Sequence, residues 1–497
     1  MNLNFGVFTP EIILLLTACI VVFGEWAFKS VDGNNNKKNR NIGFVTLLGL
    51  TITLAILISF KVVSYGLPTY LGNLKESTFW GSFVLDDLSI YFKIIIVFSA
   101  IMTVLISFRY VNEKIIHVGE FYALLCLATI GGMFMSSAAE MITFYLGIEL
   151  ISITSYVLCA FNKDNQKSSE SGLKYLVVGS LSSALLLYGF SLLFGLTGKL
   201  NFEDLALALE KFTTPLNTIY VIAIMMTLAG ISYKIAAVPF HMWAPDVYEG
   251  APTPVTAFLA ITSKIAGFAA FIRFLEIFNL DVSSKLIILI AILSVVTMTI
   301  GNVLAIVQTN LKRLFAYSSI AHAGYLMIGF IPLLQGKVQE VSTILFYLTA
   351  YIFMNIGAFA SIIYFSKYTG STDIDSFSGV AKKAPFFAFV FSACLVSLAG
   401  LPPFGGFTGK FYLFVSAVNS GYTWLAFVGA LNSVISLYFY VRIIKVMYFK
   451  DNKEDLVLGL PNAASLTAAI ISLVGILILF LVPSPFIQMA IEATTSL

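Results

Sequence analysis

GISYKIAAVPFHMWAPDVYEGAPTPVTAFLAITSKIAGFAAFIR, residues 230–273, is the stretch that decides the fold. An apolar run carrying Lys234 meets Pro239, and a second apolar run follows with Lys264. A lysine at the centre of a bilayer span costs about 2.5–3.5 kcal/mol on insertion scales, so two of them flanking a proline-interrupted segment must face a polar interior. Proline lacks a backbone donor and collides with the preceding turn. Pro239 is therefore expected to open the helix and free carbonyls beside Lys234, with His241, two residues on, capping or orienting the broken helix. Helices broken at membrane depth persist only where they line protein or a water cavity. The stretch reads as part of an ion path.

The rest of the chain agrees with a membrane setting. Of its 497 residues 59% are hydrophobic and 11% charged, and the mean hydropathy is +0.92, far outside the range of soluble domains. The fold class expected is an all-α polytopic membrane protein. Cys19, Cys126, Cys159 and Cys394 stand singly in apolar runs, and three histidines are present in all. No zinc, haem or iron–sulfur spacing is legible, and no glycine-rich phosphate cradle follows a strand-like run. Redox chemistry is thus assigned to partner subunits, with no cofactor in this chain. The N-terminus lacks a basic n-region and a small-residue cleavage site, so 10–28 reads as a retained first span.

Apolar runs of bilayer length number about fourteen. Seventeen of the 29 Lys and Arg residues fall in loops after odd-numbered spans and seven in loops after even-numbered ones. Basic residues accumulate on the cytoplasmic side, which puts both termini on the non-cytoplasmic side. The run 385–418 is too long for one helix and contains GLPPFGGFTGK, Gly400–Lys410, where Pro402, Pro403 and glycines interrupt it beside Lys410. This second break lies in the fourth span of spans 9–13, and the first lies in the fourth of spans 4–8. Two five-span units with paired breaks must lie in opposite orientations, the inverted-repeat architecture of transporters. The expected division is a three-helix segment 1–118, a first unit 119–280, a second unit 281–450 and a final helix in 451–497.

Glu149 lies ten residues into the run 139–161, too deep to reach water. A buried carboxylate needs a cation, so Glu149 and Lys234 are expected to pair; the alternative is an ion pair that only fixes helix register. Pairing would hold Lys234 charged, and loss of the partner would favour proton release. Ala260, Ser263, Gly267 and Ala269 around Lys264 leave room for water or for another helix. Lys410 follows the glycine-rich break, where freed backbone groups can order water. Lys174, a few residues into its span, suits snorkelling to the interface as well as relay. Lys93, near a span end with Asp86 and Asp87 close in sequence, reads as an interfacial anchor. His322, inside 314–333, titrates in the useful range; relay and a hydrogen-bonded structural role both stand.

KIAAVPFHMWAPDVYEGAPTPVTAFLA (234–260), GNVLAIVQTNLKRLFAYSSIAHAGYL (301–326) and SLAGLPPFGGFTGKFYLF (397–414) resemble the antiporter-like subunits of respiratory complex I and of Mrp antiporters. The similarity is strongest to the subunit N, or subunit 2, branch of NADH:quinone oxidoreductase. The resemblance implies a 14-span bundle with two inverted half-channels. It implies that Glu149, Lys234, Lys264 and Lys410 are the proton-translocating residues of helices 5, 7, 8 and 12. One sister subunit carries glutamate at the last position, which lysine here excludes, and the larger sister has further spans and a lateral helix beyond the equivalent of Leu497.

The function expected is proton translocation in the membrane arm of a bacterial-type complex I, in the cell (inner) membrane beside sister antiporter-like subunits. NADH, FMN, iron–sulfur clusters and quinone would all be handled by partners. The enzyme activity is that of the translocase, class EC 7.1.1, to which this chain contributes no redox site. A subunit of an Mrp-type cation/proton antiporter is the alternative, and a purely structural membrane component is the third.

Overall fold

A computed structural model of the chain describes residues 5–27, 35–66, 76–79, 81–209, 218–278, 280–451 and 459–496. Apolar runs of this length have only one way to satisfy their backbone in lipid, and they fold as helices. The chain runs through α1 (Thr9–Ala27), α2 (Asn35–Gly66), α3 (Asp87–Lys114), α4 (Val118–Ser137), α5 (Met141–Cys159), α6 (Gln166–Thr197) and α7 (Phe202–Leu209). It continues with α8 (Thr218–Ile235), α9 (Trp243–Gly250), α10 (Thr253–Phe258), α11 (Lys264–Leu275), α12 (Leu280–Ile306), α13 (Leu311–Met327) and α14 (Phe330–Leu334). It closes with α15 (Ser342–Thr369), α16 (Val380–Lys383), α17 (Pro385–Ala399), α18 (Gly405–Asn419), α19 (Thr423–Phe449), α20 (Ala463–Leu481) and α21 (Ser484–Ala493). Between α2 and α3 a small hairpin forms, β1 (Glu76–Thr78) pairing antiparallel with β2 (Phe83–Leu85).

Among the described residues, 13 helical stretches are long and apolar enough to cross a membrane. The broken pair α17 and α18 supplies a further crossing in two halves of 15 residues each. The protein is a multi-pass membrane protein of two inverted five-helix units. On the division expected from the sequence, the first unit would take in α4, α5, α6, α8 with α9, and α10 with α11, and the second α12, α13, α15, α17 with α18, and α19. Burial sorts the helices into centre and rim. Thr253–Leu275 is buried along 100% of its apolar window and Leu311–Leu334 along 94%, against 33% for Gln166–Thr197 and for Ala463–Leu481, so the latter face the surroundings. A deeply buried axis of α11, α13 and α15 therefore runs through the bundle.

Local sequence places the ends. Asp86 closes a capping box on α3 with Ser89, and Asn310 accepts from the backbone of Lys312 and Arg313 to start α13, satisfying donors that a helix N-terminus leaves free. The first break has a cause other than the one expected from Pro239. α8 has already stopped at Ile235, where Ala236 turns left-handed at φ 58°. The amide of Ala236 donates to the Tyr233 carbonyl and that of Ala237 to the Ser232 carbonyl, at 3.0 and 2.9 Å. This is the Schellman closure, with alanine where glycine is usual. Pro239, joined to Val238 by a cis bond, comes after the stop. His241 does not cap the next helix, since α9 is preceded by Met242 with no side-chain cap bond.

The second break runs where expected, from Gly400 to Phe404, and includes the cis Pro402–Pro403 bond. Gly400, at φ +84°, is required twice: an added Cβ would also lie 2.7 Å from Cδ of Lys410. In the span that carries Lys264 a feature was not foreseen, a π-helical turn over Leu259–Ser263 immediately before the lysine. Such turns insert a residue into the helical register and often mark functional positions.

Lys93 is not an interfacial anchor. It is wholly buried and contacts Glu11 of α1 at 2.7 Å, because α1 folds against α4 and carries a carboxylate into the interior. Asp86 is taken by Arg273 at 2.5 Å and Asp87 by Lys61 at 2.7 Å. Lys29, Lys75, Lys211 and Lys453, counted above among the loop cations, lie outside the described residues.

Candidate functional site

The last turn of α8 delivers Lys234 to the interior, where 3% of it is exposed. Its Nζ donates to Oγ of Ser152 on α5 at 3.0 Å. Ser152 stands three residues after Glu149, on the same helix face. The expected direct Glu149–Lys234 ion pair is not formed among the described residues: the lysine ammonium is taken by Ser152, and the Glu149 carboxylate meets Tyr145 and leaves Oε1 without a hydrogen bond. A serine hydroxyl one turn along α5 occupies the ammonium instead. Gly267 of α11 lets α8 approach closely, for an added Cβ there would lie 2.8 Å from Ile235 and 3.3 Å from Cγ of Lys234. Lys264 is one turn back from Gly267, so the two lysine stems share one helix–helix seam.

Lys264, at the end of the π turn, donates to the backbone carbonyl of Ser319 on α13. The Tyr351 ring lies 5.9 Å from its ammonium. The hydroxyls of Ser319 and Tyr248 are 3.4 Å apart, which ties this point to α9. Along α13, positions 319, 322 and 325 fall on one face at three-residue spacing. His322 is enclosed by two phenols, Nδ1 at 2.5 Å from the Tyr347 hydroxyl and Nε2 at 3.3 Å from that of Tyr440. Tyr440 in turn meets Ser318 Oγ at 2.5 Å. Tyr325 presents its ring to Lys410, whose ammonium lies 4.5 Å from the centroid. A cation over an aromatic face is held by the ring quadrupole without a counter-charge.

Lys410 meets its break directly. Its Nζ donates to the carbonyls of Leu398 and Ala399 at 3.0 and 3.1 Å and to Ser433 Oγ at 2.7 Å. These carbonyls are the ones α17 leaves free at its C-terminus. The two breaks close alike: the amides of Ala236 and Ala237 take the Tyr233 and Ser232 carbonyls, and those of Gly400 and Leu401 take the Ser397 and Val396 carbonyls, while Trp243 Nε1 also donates to the Tyr233 carbonyl at 3.2 Å.

The structure thus joins Lys264, His322 and Lys410 through α13 and sets Lys234 beside them across the α8–α11 seam, with Glu149 one turn from its hydroxyl partner. Lys174 is not brought in. Its side chain is 44% exposed and contacts Glu170 at 2.8 Å and Asp246 at 2.7 Å, as snorkelling would have it. Asp246 also meets Arg313 at 2.5 Å; partial burial would raise its pKa, but Lys174 and Arg313 hold it below the usual carboxylate range. Pro239, His241, Pro402 and Pro403 lie at the two interruptions and supply none of the hydrogen bonds described for the lysine ammoniums. Ser152, Ser319, Tyr347, Tyr440 and Ser433 were not foreseen. Spacing of three from Glu149 and from His322 would have pointed to Ser152 and Ser319; the others carry no local signal. Among the described residues no group of three metal-ligating side chains occurs.

Comparison with known proteins places this arrangement. Residues 138–436 match the family model described as NADH:quinone oxidoreductase/Mrp antiporter, transmembrane. NADH-quinone oxidoreductase subunit N of Trichlorobacter lovleyi is 40% identical over 99% of this chain and 97% of its own length. The subunit N of Heliobacterium modesticaldum is 41% identical over 100% of both. Among solved structures, a chain of respiratory complex I from Thermus thermophilus superposes with a TM-score of 0.77 at 27% identity, covering 97% of this chain and 99% of that one. A chain of the Mrp complex from Dietzia shares the fold, with a TM-score of 0.80 at 20% identity over 98% and 97%. The chain belongs to the NADH:quinone oxidoreductase/Mrp antiporter family of transmembrane subunits, in its subunit N branch.

Proposed function

We propose that this chain is a proton-translocating membrane subunit of a bacterial-type NADH:quinone oxidoreductase. One observation carries the reading. Lys234, Lys264 and Lys410 are buried yet end on hydroxyls and carbonyls, with no carboxylate among the described residues held against them. A lysine so placed gives up or takes a proton without stranding a buried carboxylate, whose isolation would cost several kcal/mol. Neutral acceptors tolerate both charge states, and hydroxyl groups can pass a proton as well as accept a bond.

In this reading Glu149 biases Lys234 through Ser152, and charge passes across the α8–α11 seam to Lys264. The α13 face then links Lys264 to Lys410 through His322, whose ring nitrogens both meet phenol oxygens. NADH oxidation and quinone reduction, with flavin and iron–sulfur clusters, belong to partner subunits, and their energy shifts the charge states along this row. The excess of Lys and Arg in alternate loops supports a cell-membrane topology with both termini outside the cytoplasm.

The test is Lys264→Met in the whole complex. The substitution removes the charge and leaves one carbonyl to find another donor. We expect a fully assembled complex on native gels, with proton pumping into vesicles reduced at least about tenfold, equivalent to about 1.4 kcal/mol or more. Normal pumping by an assembled variant would remove the lysine row from the mechanism.

A further inference from the structure

A second cluster of cations lies outside the lysine row, where the first turns of α2 meet the C-terminal end of α3. Lys37 and Arg40 of α2 and Arg109 of α3 line a cavity of about 570 Å³. Arg109 is fixed in place: Nη1 donates to the Leu460 carbonyl at 3.0 Å, Nη2 to the Tyr368 hydroxyl at 3.1 Å and Nε to Glu113 at 3.2 Å. Glu113 is the one carboxylate in the lining, and it is shared between Arg109 and Lys367. Lys37 and Arg40 have no ion-pair partner among the described residues. The charge balance of this hollow is strongly positive.

Beside it, and sharing Arg109 and Glu113, a slot of about 180 Å³ enters between α3 and α15. Its walls include Ile106, Ile363 and the ring of Tyr364, together with Lys114 and Lys367. A hollow lined by cations, continuous with an apolar slot between two membrane helices, matches an amphiphile with an anionic head and a hydrocarbon tail. Basic pockets between transmembrane helices on the lysine-rich side recognise acidic lipid headgroups. An acidic protein segment would meet the charge and leave the slot unused.

We propose that this groove binds an anionic phospholipid, with its phosphate among Lys37, Arg40 and Arg109 and the upper part of one acyl chain in the slot beside Ile106 and Ile363. A bound lipid would tie α2 to α3 and α15. None of these cations belongs to the lysine row, so the site stands or falls independently of proton transfer.

The test uses the whole complex purified in mild detergent, wild type and a Lys37→Gln/Arg40→Gln double variant. Native mass spectrometry should show one anionic lipid per chain retained by the wild type and lost from the variant. Transfer to phosphatidylcholine nanodiscs with added phosphatidylglycerol should raise the melting temperature of the wild type more than that of the variant. Inorganic phosphate should not replace the lipid. Equal retention of anionic lipid by both proteins would overturn the proposal, as would equal stabilisation by phosphatidylcholine alone. So would efficient cross-linking of a photoreactive group at Asn112 to a partner protein in place of lipid.

Discussion

Two sets of buried cations occupy this chain, and they end differently. In one set Lys93 of α3 meets Glu11 at 2.7 Å, and Arg273 of α11 meets Asp86 at 2.5 Å and Glu276 at 3.6 Å. Along the central axis Lys234, Lys264 and Lys410 meet only hydroxyls and carbonyls. Burial is the same in both sets; the partner is not. A cation facing a carboxylate keeps its charge, since losing it strands the anion, and such pairs pin α1 and α3 to the bundle. A cation facing neutral oxygens can change charge at lower cost. The difference separates positions that hold helices from positions that can carry protons.

The largest expected effect comes from breaking the paired set. Lys93→Met leaves Glu11 buried without its cation, which costs about 3–5 kcal/mol. Adding Glu11→Leu removes the stranded charge, so the double variant should regain assembly and pump normally. Thermal melting of the detergent-solubilised complex reads the first effect and a pH-sensitive dye in vesicles the second. If the single and double variants melt alike, the pair is not what holds α1.

Glu149→Gln sharpens the comparison from the other side. The amide keeps the shape, so the complex should assemble, while Lys234 loses the negative bias of Glu149. Pumping and coupled NADH:quinone turnover should fall severalfold, and Glu149→Asp should be milder because the charge remains. An assembled Gln variant with unchanged turnover would detach Glu149 from the lysine row.

Gly400→Ala acts through geometry alone. The added Cβ falls 2.7 Å from Cδ of Lys410, in a left-handed backbone that costs a side chain about 1–2 kcal/mol. Lys410 should be displaced from the Leu398 and Ala399 carbonyls, lowering pumping more than assembly. Equal losses of both would indicate general unfolding of the break.

The smallest effect is expected at the partly exposed Asp246. Its folded-state pKa lies below the ordinary carboxylate value, so its contribution is present above about pH 4 and is lost as pH falls through the folded value. Asp246→Asn should therefore be slightly less stable than wild type at neutral pH and equal to it in strong acid. A gap that widens on acidification would reverse the assignment.

Much of this was legible in order along the chain. Length and polarity of the apolar runs gave the spans, and GLPPFGG gave the second break, because two prolines and a left-handed glycine cannot continue a helix. The lysines at 234, 264 and 410 were legible by depth alone: nothing within reach in sequence could bring them to water. Pro239 drew attention to the right place for the wrong reason, since the helix ends at a Schellman turn on Ala236, a residue with no preference for that conformation. The π turn before Lys264 left no mark in composition, because it changes register rather than polarity.

What the sequence determined by itself, then, is that the charges deep in apolar runs, Lys234, Lys264 and Lys410, are buried, whereas the burial of Lys93 near a span end was left to packing. Hydropathy is additive along a chain, and a charge in the middle of twenty apolar residues has no other fate. Tertiary structure alone decided what each buried charge faces. Glu149 and Lys234 belong to different helices, and their pairing depends on rotation about each helix axis, which helix packing sets; that rotation presents Ser152 to the lysine. Lys93 found Glu11 because α1 packs where it does, 82 residues away in sequence. Partners across helices are fixed by packing, and with them the division between charges that stay and charges that can move.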